Sequence, residues 1–563
     1  MVAVASYTAS FLNGERVIVL LFISRVLYSL PLSLLYHGLA LSLLALASLF
    51  IEIRCDTSNS LPLFPARPGA SSGILLGSVT LPTVILSKLV QLSRGFSLGE
   101  VQFQELQYLT LQYWATSASC LSVLIFLGLV LWRTPFSRSD WGLRFSLCFG
   151  FLQAVFCCVS LAATPENGLH PTIKLSWVFC HGLAAVKLIQ HFLCTFPSCA
   201  SIGESLLVTA GIVHYFGDML LFTIARICGL TIRSELVATE YRISRNEISI
   251  IIQGLLLGLL LFPIAFRYII QIWEWTASSE MRRFNEIGRS LIFFALLGLV
   301  MIVIAPIWMQ FVQKFNVHPF FWVLSFVFSE PLKRLSLCIY WASVICVSVL
   351  RFYKISKNSK IERILLRKYY HLMAVSMFLP ALLFQPKFLD LAFGVALAVF
   401  LLLEIIRVWR IWPLGQPIDQ FMNAFTDHRD SDLLIVSHFS LLLGCALPIW
   451  MSSGFNDRPL APFAGILSLG IGDTMASMVG HKYGVLRWSK TGKKTIEGTA
   501  AGITSVLAAC SLLLPLLAST GYILTQHWLS LLVAVTASGL LEAHTAQLDN
   551  AFIPLFFYSL LIL

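Results

Sequence analysis

The sequence lacks the charge that a soluble protein carries on its surface. Only 12% of its 563 residues are Asp, Glu, Lys or Arg, whereas soluble domains contain about 25% charged residues. Apolar residues make up 57% of the chain, and its mean hydropathy is +0.82. This composition excludes an ordinary soluble enzyme and is typical of a membrane protein.

Several short motifs are also absent. The chain has 13 cysteines but no CxxC pair, so we expect neither a zinc site nor a dithiol redox site and interpret the cysteines as buried structural thiols. No N-x-[ST] acceptor occurs, which leaves the compartment open. The first residues lack a basic n-region, so we expect no cleaved signal peptide.

Long apolar stretches recur along the whole chain. A helix needs about 20 mostly apolar residues to cross a bilayer, and such stretches include residues 16–50, 250–273, 290–312, 388–406 and 433–450. Only helices and closed barrels satisfy their own backbone hydrogen bonds in lipid. We therefore predict an all-α polytopic integral membrane protein, a bundle of about 15 transmembrane helices.

The polar residues divide the chain into three parts. We expect an N-terminal multi-span membrane region at 1–350, a basic cytosolic linker at 351–369 and a C-terminal membrane domain at 370–563. The net charge of +11 is attributed to basic cytosolic loops, not to a nucleic-acid partner. The N-terminal region shows no chemical motif, and we interpret its scattered ionisable residues as helix-packing or interfacial groups, namely His181, Lys187, His191, His214 and Asp218.

The most informative stretch is GIGDTMASMVGHKYGVLRWSKTGKKTIEG, residues 470–498. It combines an acid next to glycine, Asp473, with a basic turn at 490–495 and a second acid, Glu497. Ammonium groups, backbone N–H groups left accessible by glycine, and carboxylates that hold Mg²⁺ are the components of a polyphosphate site. Charge is costly at bilayer depth, so this cluster is a candidate functional site.

Three further polar clusters lie in the same half. They are the basic group Arg367, Lys368 and His371, the acidic loop DHRDSD at 427–432, and the acids Glu542 and Asp549. Arg367 and His371 are four apart and share a helix face. Glu542 and Asp549 are seven apart, which predicts one helix face for both. Taken singly, the basic group also fits a juxtamembrane anchor, the acidic loop fits a solvated loop, and the pair Glu542 and Asp549 fits a structural bond.

Topology favours a shared site over independent anchors. The positive-inside rule places the basic segment 351–368 in the cytosol. Pairs of predicted spans then return the chain to the cytosol at 410–432, at 481–497 and at 542–549. All four clusters therefore emerge on one side of the membrane.

One enzyme family contains the same segments in the same order and spacing. Residues 360–560 resemble the C-terminal half of eukaryotic dolichol kinase in LLRKYYHL, LLLEIIRVWRIWPLG, DSDLLIVSHFSLLLGCALPIW, LSLGIGDTMASMVGHKYGVLRW, GKKTIEGT and LLEAHTAQLDNAFIPL. Phytol kinases and CTP-dependent diacylglycerol kinases share parts of this pattern. The PLG, HRDSD, LLLG and LPIW context favours the dolichol enzyme.

The resemblance implies transfer of the γ-phosphate of CTP to the terminal hydroxyl of dolichol, which would supply dolichyl phosphate for glycosylation at the endoplasmic reticulum. It makes 370–563 the catalytic domain and places the nucleotide in a cytosolic loop at 481–497. The implied CTP-binding residues are His481, Lys482, Tyr483, Gly484, Val485, Leu486, Arg487, Trp488, Ser489, Lys490, Thr491, Gly492, Lys493, Lys494 and Thr495. The turn SKTGKKT is one residue longer than in animal members, so the resemblance does not assign each lysine to a phosphate.

The residues themselves support phosphoryl transfer, which needs a neutralised triphosphate, a metal ion and an aligned acceptor. We expect Lys493 and Lys494 to neutralise phosphate oxygens, and Gly492 and Gly498 to allow close backbone approach. We expect Asp473 to hold a divalent ion, most simply Mg²⁺, followed by Glu497 and Asp549. The sequence does not identify the carboxylate that takes the hydroxyl proton. The full set of candidate catalytic residues is Arg367, Lys368, His371, Asp473, Lys493, Lys494, Glu497 and Asp549.

Other functions stay open at this point. GKKT lacks the upstream glycine of a Walker A loop, and HRD at 428–430 has no accompanying Gly-rich loop or DFG, which disfavours a protein kinase. The alternatives are a kinase of another lipid alcohol (phytol or diacylglycerol) and a phosphatidate cytidylyltransferase-like enzyme. A transporter is more remote, because transporters place polar groups near the midplane.

Overall fold

The computed structural model describes residues 13–58, 67, 70–132, 141–162, 171–231, 246–276, 285–358, 363–423, 435–489, 494–519 and 527–563. Helices dominate these residues. The only β contact among them is an isolated bridge between Arg487 and Thr495. The predicted all-α class is confirmed.

Long helices make up the N-terminal region. They are α1 Gly14–Tyr28, α2 Leu35–Ser58, α3 Ile74–Ser97, α4 Phe103–Trp132, α5 Trp141–Ala162, α6 Pro171–Thr195, α7 Ile202–Thr231, α8 Glu247–Thr276, α9 Asn285–Gly298, α10 Ala305–Val312, α11 Pro319–Ser329 and α12 Pro331–Asn358. A π-helical turn, Leu299–Ile304, joins α9 to α10.

The C-terminal region continues in the same way. Its helices are α13 Arg363–Phe384, α14 Pro386–Trp409, α15 Gly415–Asn423, α16 Val436–Met451, α17 Thr474–Tyr483, α18 Ile496–Ser519, α19 Trp528–His544 and α20 Asp549–Leu561. A π-helical segment, Ile466–Asp473, leads directly into α17. The segment predicted as a linker, 351–369, is helical wherever it is described, because residues 351–358 end α12 and residues 363–369 begin α13.

Eleven helices in the described part are long and apolar enough to cross a membrane, and three further apolar helices have 10–17 residues. These account for most of the roughly 15 spans expected from the 20-residue rule. The length rule misses spans that are short or interrupted. For example, α19 is a helix of only 17 residues.

One hydrophobic core joins the two halves of the chain. Helix α20 is buried from Phe552 to Leu561 and touches helices from both halves. The rings of Phe22 and Phe556 lie 4.1 Å apart, and the hydroxyl of Ser87 lies 2.7 Å from that of Ser559. The C-terminal residues therefore pack directly on the N-terminal helices.

Polar groups between the N-terminal helices bind one another. Asp218 accepts hydrogen bonds from Gln253 at 2.9 Å and from Gln112 at 3.4 Å. His214 Nδ1 lies 3.0 Å from the hydroxyl of Thr116. These contacts join α7 to α4 and α8, as expected for helix-packing groups in an apolar surrounding.

Candidate active site

Asp473 is the centre of the first group of site residues. Its Oδ2 accepts a hydrogen bond from Lys368 Nζ at 2.5 Å and lies 3.1 Å from His371 Nδ1. All three side chains are buried. His371 Nδ1 also lies 3.1 Å from the carbonyl oxygen of Leu469, which fixes the ring. The structure thus brings Lys368 and His371, two of the predicted basic residues, into contact with Asp473, the acid of the stretch 470–498.

Glycine allows this approach. An added Cβ at Gly470 would collide with the side chain of Val375 on α13, so only glycine lets α13 pack this closely on the π-helical segment. Lys368 and His371 are three apart on α13 and therefore face the same side. From the spacing of four, we predict that Arg367 and His371 share a helix face. The Arg367 side chain lies outside the described residues.

Lys494, Glu542 and Asp549 form the second group. Lys494 Nζ donates to the carbonyl oxygen of Glu542 and lies 3.5 Å from Asp549 Oδ1. Glu542 occupies the last turn of α19 and interacts electrostatically with Asp473, Lys494, Asp549 and Lys368. The two groups therefore form one charged cluster.

The predicted single helix for Glu542 and Asp549 is wrong. Helix α19 ends at His544 and α20 begins at Asp549, so the carboxylates come from two helices. A spacing of seven places two residues on one face only if the helix is continuous between them. Here residues 545–548 bind the N-terminal region instead of continuing the helix.

Glu204 and Arg67 hold this loop. Glu204 Oε1 accepts the backbone N–H of Leu548 at 2.7 Å and pairs with Arg67 Nη2 at 2.7 Å. Arg67 Nη2 also donates to the carbonyl of Ala546 at 3.1 Å. Both charged side chains are buried. Sequence reasoning missed both, because partners separated by more than 300 residues leave no local spacing pattern.

Gln547 adds a second attachment of the same loop. Its Nε2 donates to the carbonyl oxygen and hydroxyl of Ser71, at 3.0 and 2.9 Å. Its Oε1 accepts a hydrogen bond from the hydroxyl of Ser201. The residues immediately before Asp549 are therefore fixed by two segments of the N-terminal region.

The predicted nucleotide loop folds back on itself after α17. Trp488 N donates to the carbonyl of Lys494 at 3.2 Å, and Ile496 N donates to that of Leu486 at 2.8 Å. The Trp488 indole donates to Thr499 Oγ1 at 2.9 Å and contacts the ring of His544 at 4.9 Å. These contacts anchor the loop to α18 and α19. The tip, residues 490–493, lies outside the described residues, as does the acidic loop 427–432.

Two other predicted residues have local structural partners. The Glu497 carboxylate accepts the backbone N–H of Leu486 at 3.0 and 3.3 Å, so it braces the loop. Gly498 is buried, and a Cβ there would lie 2.6 Å from the carbonyl oxygen of Ala476. This glycine therefore allows the close crossing of α17 and α18, and its predicted approach to a phosphate stays a prediction.

The carboxylates fit a metal ion that arrives with a nucleotide. No group of three or more His, Cys, Asp or Glu residues in the described part is spaced to hold a metal. Asp549 Oδ1 accepts no hydrogen bond from the described residues and lies 3.5 Å from Lys494 Nζ, whereas Asp473 Oδ2 has two closer partners, Lys368 at 2.5 Å and His371 at 3.1 Å. Mg²⁺ is usually bound by one or two carboxylates together with substrate phosphates, and the position of Asp549 would fit such a ligand.

Comparison with known proteins gives a consistent set of relatives. The family model described as dolichol kinase matches residues 182–506. Dolichol kinase EVAN of Arabidopsis thaliana is 64% identical over 563 residues, covering 98% of this chain and 99% of that protein. Dolichol kinase of Homo sapiens is 32% identical over 402 residues, 68% of each chain. That of Saccharomyces cerevisiae is 32% identical over 242 residues, covering 42% of this chain and 44% of that protein. No solved structure matches.

Proposed function

The chain belongs to the dolichol kinase family, and from this premise we propose that it transfers the γ-phosphate of CTP to the terminal hydroxyl of dolichol. The supporting observation is the cluster in which Lys368, Lys494, Asp473, Glu542 and Asp549 meet. Cations beside carboxylates at the end of an apolar bundle suit a reaction between a charged nucleotide and a lipid alcohol.

In the proposed reaction the dolichol oxygen attacks the γ-phosphorus. The new O–P bond forms as the bond to the β–γ bridging oxygen breaks, and CDP leaves with the electron pair. The hydroxyl proton passes to a carboxylate of the cluster. Lys494 and Lys368 stabilise the negative charge on the phosphate oxygens, a contribution that is usually a large part of such catalysis.

A divalent ion, most simply Mg²⁺, would be held by Asp549 and by the triphosphate. When bound, it would neutralise phosphate charge and favour departure of CDP. The loop 481–495 would cover the nucleotide, with the exposed His481, Lys482 and Arg487 adding positive charge near the phosphates.

We place the enzyme in the endoplasmic reticulum membrane, with its site facing the cytosol. The basic segments beside the site favour the cytosolic face. Dolichol would reach the site from the bilayer, and CTP from the cytosol. The product, dolichyl phosphate, would serve glycosylation and other dolichol-dependent sugar transfer.

The direct test uses membranes that contain the protein, CTP labelled at the γ-phosphate, and dolichol. We expect label in the lipid fraction, release of CDP, dependence on a divalent ion, and poor use of ATP. Release of labelled pyrophosphate would instead identify a cytidylyltransferase. Label on phytol or diacylglycerol but not on dolichol would contradict the proposal that dolichol is the acceptor.

A further inference from the structure

A small cleft, with an empty volume of about 290 Å³ including its opening to solvent, borders the charged cluster. It lies between the π-helical segment, α18, α19 and α20. Its walls are mainly apolar or small, including Val506, Val535 and Ile553, while Glu542 and Ser538 contribute polar atoms. A cleft that joins an apolar interior to a charged edge matches an amphipathic molecule with one polar end.

Glu542 marks the polar end of the cleft. It lines the cleft and also belongs to the charged cluster with Lys494 and Asp549. Lys494 binds its backbone carbonyl, and the described residues donate no hydrogen bond to its carboxylate. Within the described part of the chain, these carboxylate oxygens can accept a hydrogen bond from a hydroxyl group.

Two of the helices that line the cleft, α18 and α19, also have exposed apolar residues. On α18, Leu512 is 76% exposed, and on α19, Leu529 is 74% exposed. Large exposed leucines on apolar helices are expected to face lipid. A long-chain alcohol in the bilayer thus reaches these two helices without crossing the rest of the protein.

We propose that this cleft binds the hydroxyl-bearing end of the isoprenoid acceptor, and that Glu542 receives the hydrogen bond of its hydroxyl. This inference rests on the proposed function. As the acceptor oxygen bonds to the γ-phosphorus and CDP departs, the hydroxyl proton moves to Glu542 and then to water. Val506, Val535 and Ile553 line the space beside this hydroxyl-bearing end. The rest of the chain stays in the bilayer.

The first test replaces Glu542 by Gln, which keeps the size of the side chain but removes its basicity. We expect kcat to fall by about 100-fold or more, the range for loss of a positioned proton acceptor, while KM for CTP stays within about twofold. Glu542→Asp should recover part of kcat. A purely structural glutamate would instead lower the amount of folded protein and leave the kcat of that protein unchanged.

The second test narrows the cleft. Val535→Phe should raise KM for dolichol about tenfold or more, because a buried wall residue is enlarged, and should leave KM for CTP unchanged. Val533→Phe is the matched control, since Val533 is on the same helix but 40% exposed. An equal effect of both substitutions would overturn the cleft assignment.

A third measurement tests the cleft even if the Val535→Phe protein does not accumulate in the membrane. A dolichol analogue with a photoreactive group beside its hydroxyl should label peptides from α18, α19 or α20 in the wild-type protein. Labelling only of other helices would refute binding of the acceptor in the cleft.

If wild-type protein phosphorylates dolichol but Glu542→Gln retains its kcat, this inference fails while the proposed function stands. Absence of transfer by the wild type would remove the proposed function itself.

Discussion

Asp473 already binds two partners, and this restricts what it does. Its Oδ2 contacts Lys368 and His371, so a metal ion would compete with a buried ion pair at that oxygen. The sequence made Asp473 the first choice for Mg²⁺. The geometry favours a role in which Asp473 positions Lys368 towards phosphate, while Asp549 takes the ion.

We predict that Asp473→Asn and Lys494→Ala each lower turnover of labelled CTP by about 100-fold or more. Each substitution removes a charge from the proposed phosphate site. In Asp473→Asn, removing one partner of a buried pair also costs roughly 3–5 kcal/mol, so the amount of protein in the membrane must be measured beside activity.

Magnesium titration separates the two roles of Asp473. If Asp473 is a metal ligand, excess Mg²⁺ should restore part of the activity of Asp473→Asn; if it positions Lys368, added Mg²⁺ should have no effect. Lys333→Ala is the control for loss of a lysine, because the Lys333 side chain is 72% exposed and pairs with Glu330 on the surface. Near-normal turnover of Asp473→Asn would show that neither role holds.

At the scale of helices and loops, the turn between α19 and α20 connects the two halves of the molecule. Its residues 545–548 separate Glu542 from Asp549, and their backbone is held by Glu204 and Arg67. A buried ion pair that also satisfies backbone groups keeps a loop in one conformation. The N-terminal region thus positions Asp549, although it contributes no catalytic motif of its own.

We predict that Glu204→Gln lowers kcat by about 10–100-fold, the usual effect of altering a residue that orients a metal ligand. The neutral amide removes the ion pair with Arg67 and keeps only one of the two acceptor oxygens that bind the backbone N–H groups of Leu548 and Ser201, so the loop holds Asp549 less firmly. The Mg²⁺ concentration needed for half-maximal rate should rise, while KM for dolichol should stay within about twofold. Steady-state kinetics at varied Mg²⁺ and dolichol tests both statements.

Asp457→Asn provides the comparison. Asp457 pairs with Arg94 at 3.0 Å, and Arg94 binds the carbonyl of Ile562 at 2.6 Å, at the opposite end of α20. This substitution also weakens contact between the two halves, so it should lower stability without changing the Mg²⁺ requirement. An identical Mg²⁺ profile for both variants would mean that Glu204 is only structural.

At the scale of the whole molecule, the packing of the C-terminal helices brings the site residues together. The start of α13, the end of the π-helical segment, the residues before α18 and the end of α19 all contribute to one cluster. This agrees with the even number of spans between the clusters that the sequence indicates. The basic segments predict that this cluster faces the cytosol.

Sidedness is tested with single cysteines in a cysteine-depleted protein. A cysteine at the exposed Ser489 should react with an impermeant maleimide from the cytosolic face of sealed microsomes, as should cysteines at Ser356 and Ser431. A cysteine at the exposed Ser453 should react only after the vesicles are opened. Reaction of the Ser431 position from the lumen would exclude a shared cytosolic site.

The sequence by itself determined the fold class, the family and most of the charged residues of the site. Apolar stretches about 20 residues long dictate helices in a bilayer, and a charge among them is costly enough to mark function. Asp473, Lys368, His371, Lys494 and Asp549 were all identifiable in this way.

Only the tertiary structure decided how these residues are arranged. It divided Glu542 and Asp549 between two helices, paired Lys368 with Asp473, and turned Glu497 and Gly498 towards local structural contacts. It also brought Arg67 and Glu204 to a loop more than 300 residues away. Spacing along the chain reports neighbours within one helix, whereas contacts between helices depend on how the whole bundle packs.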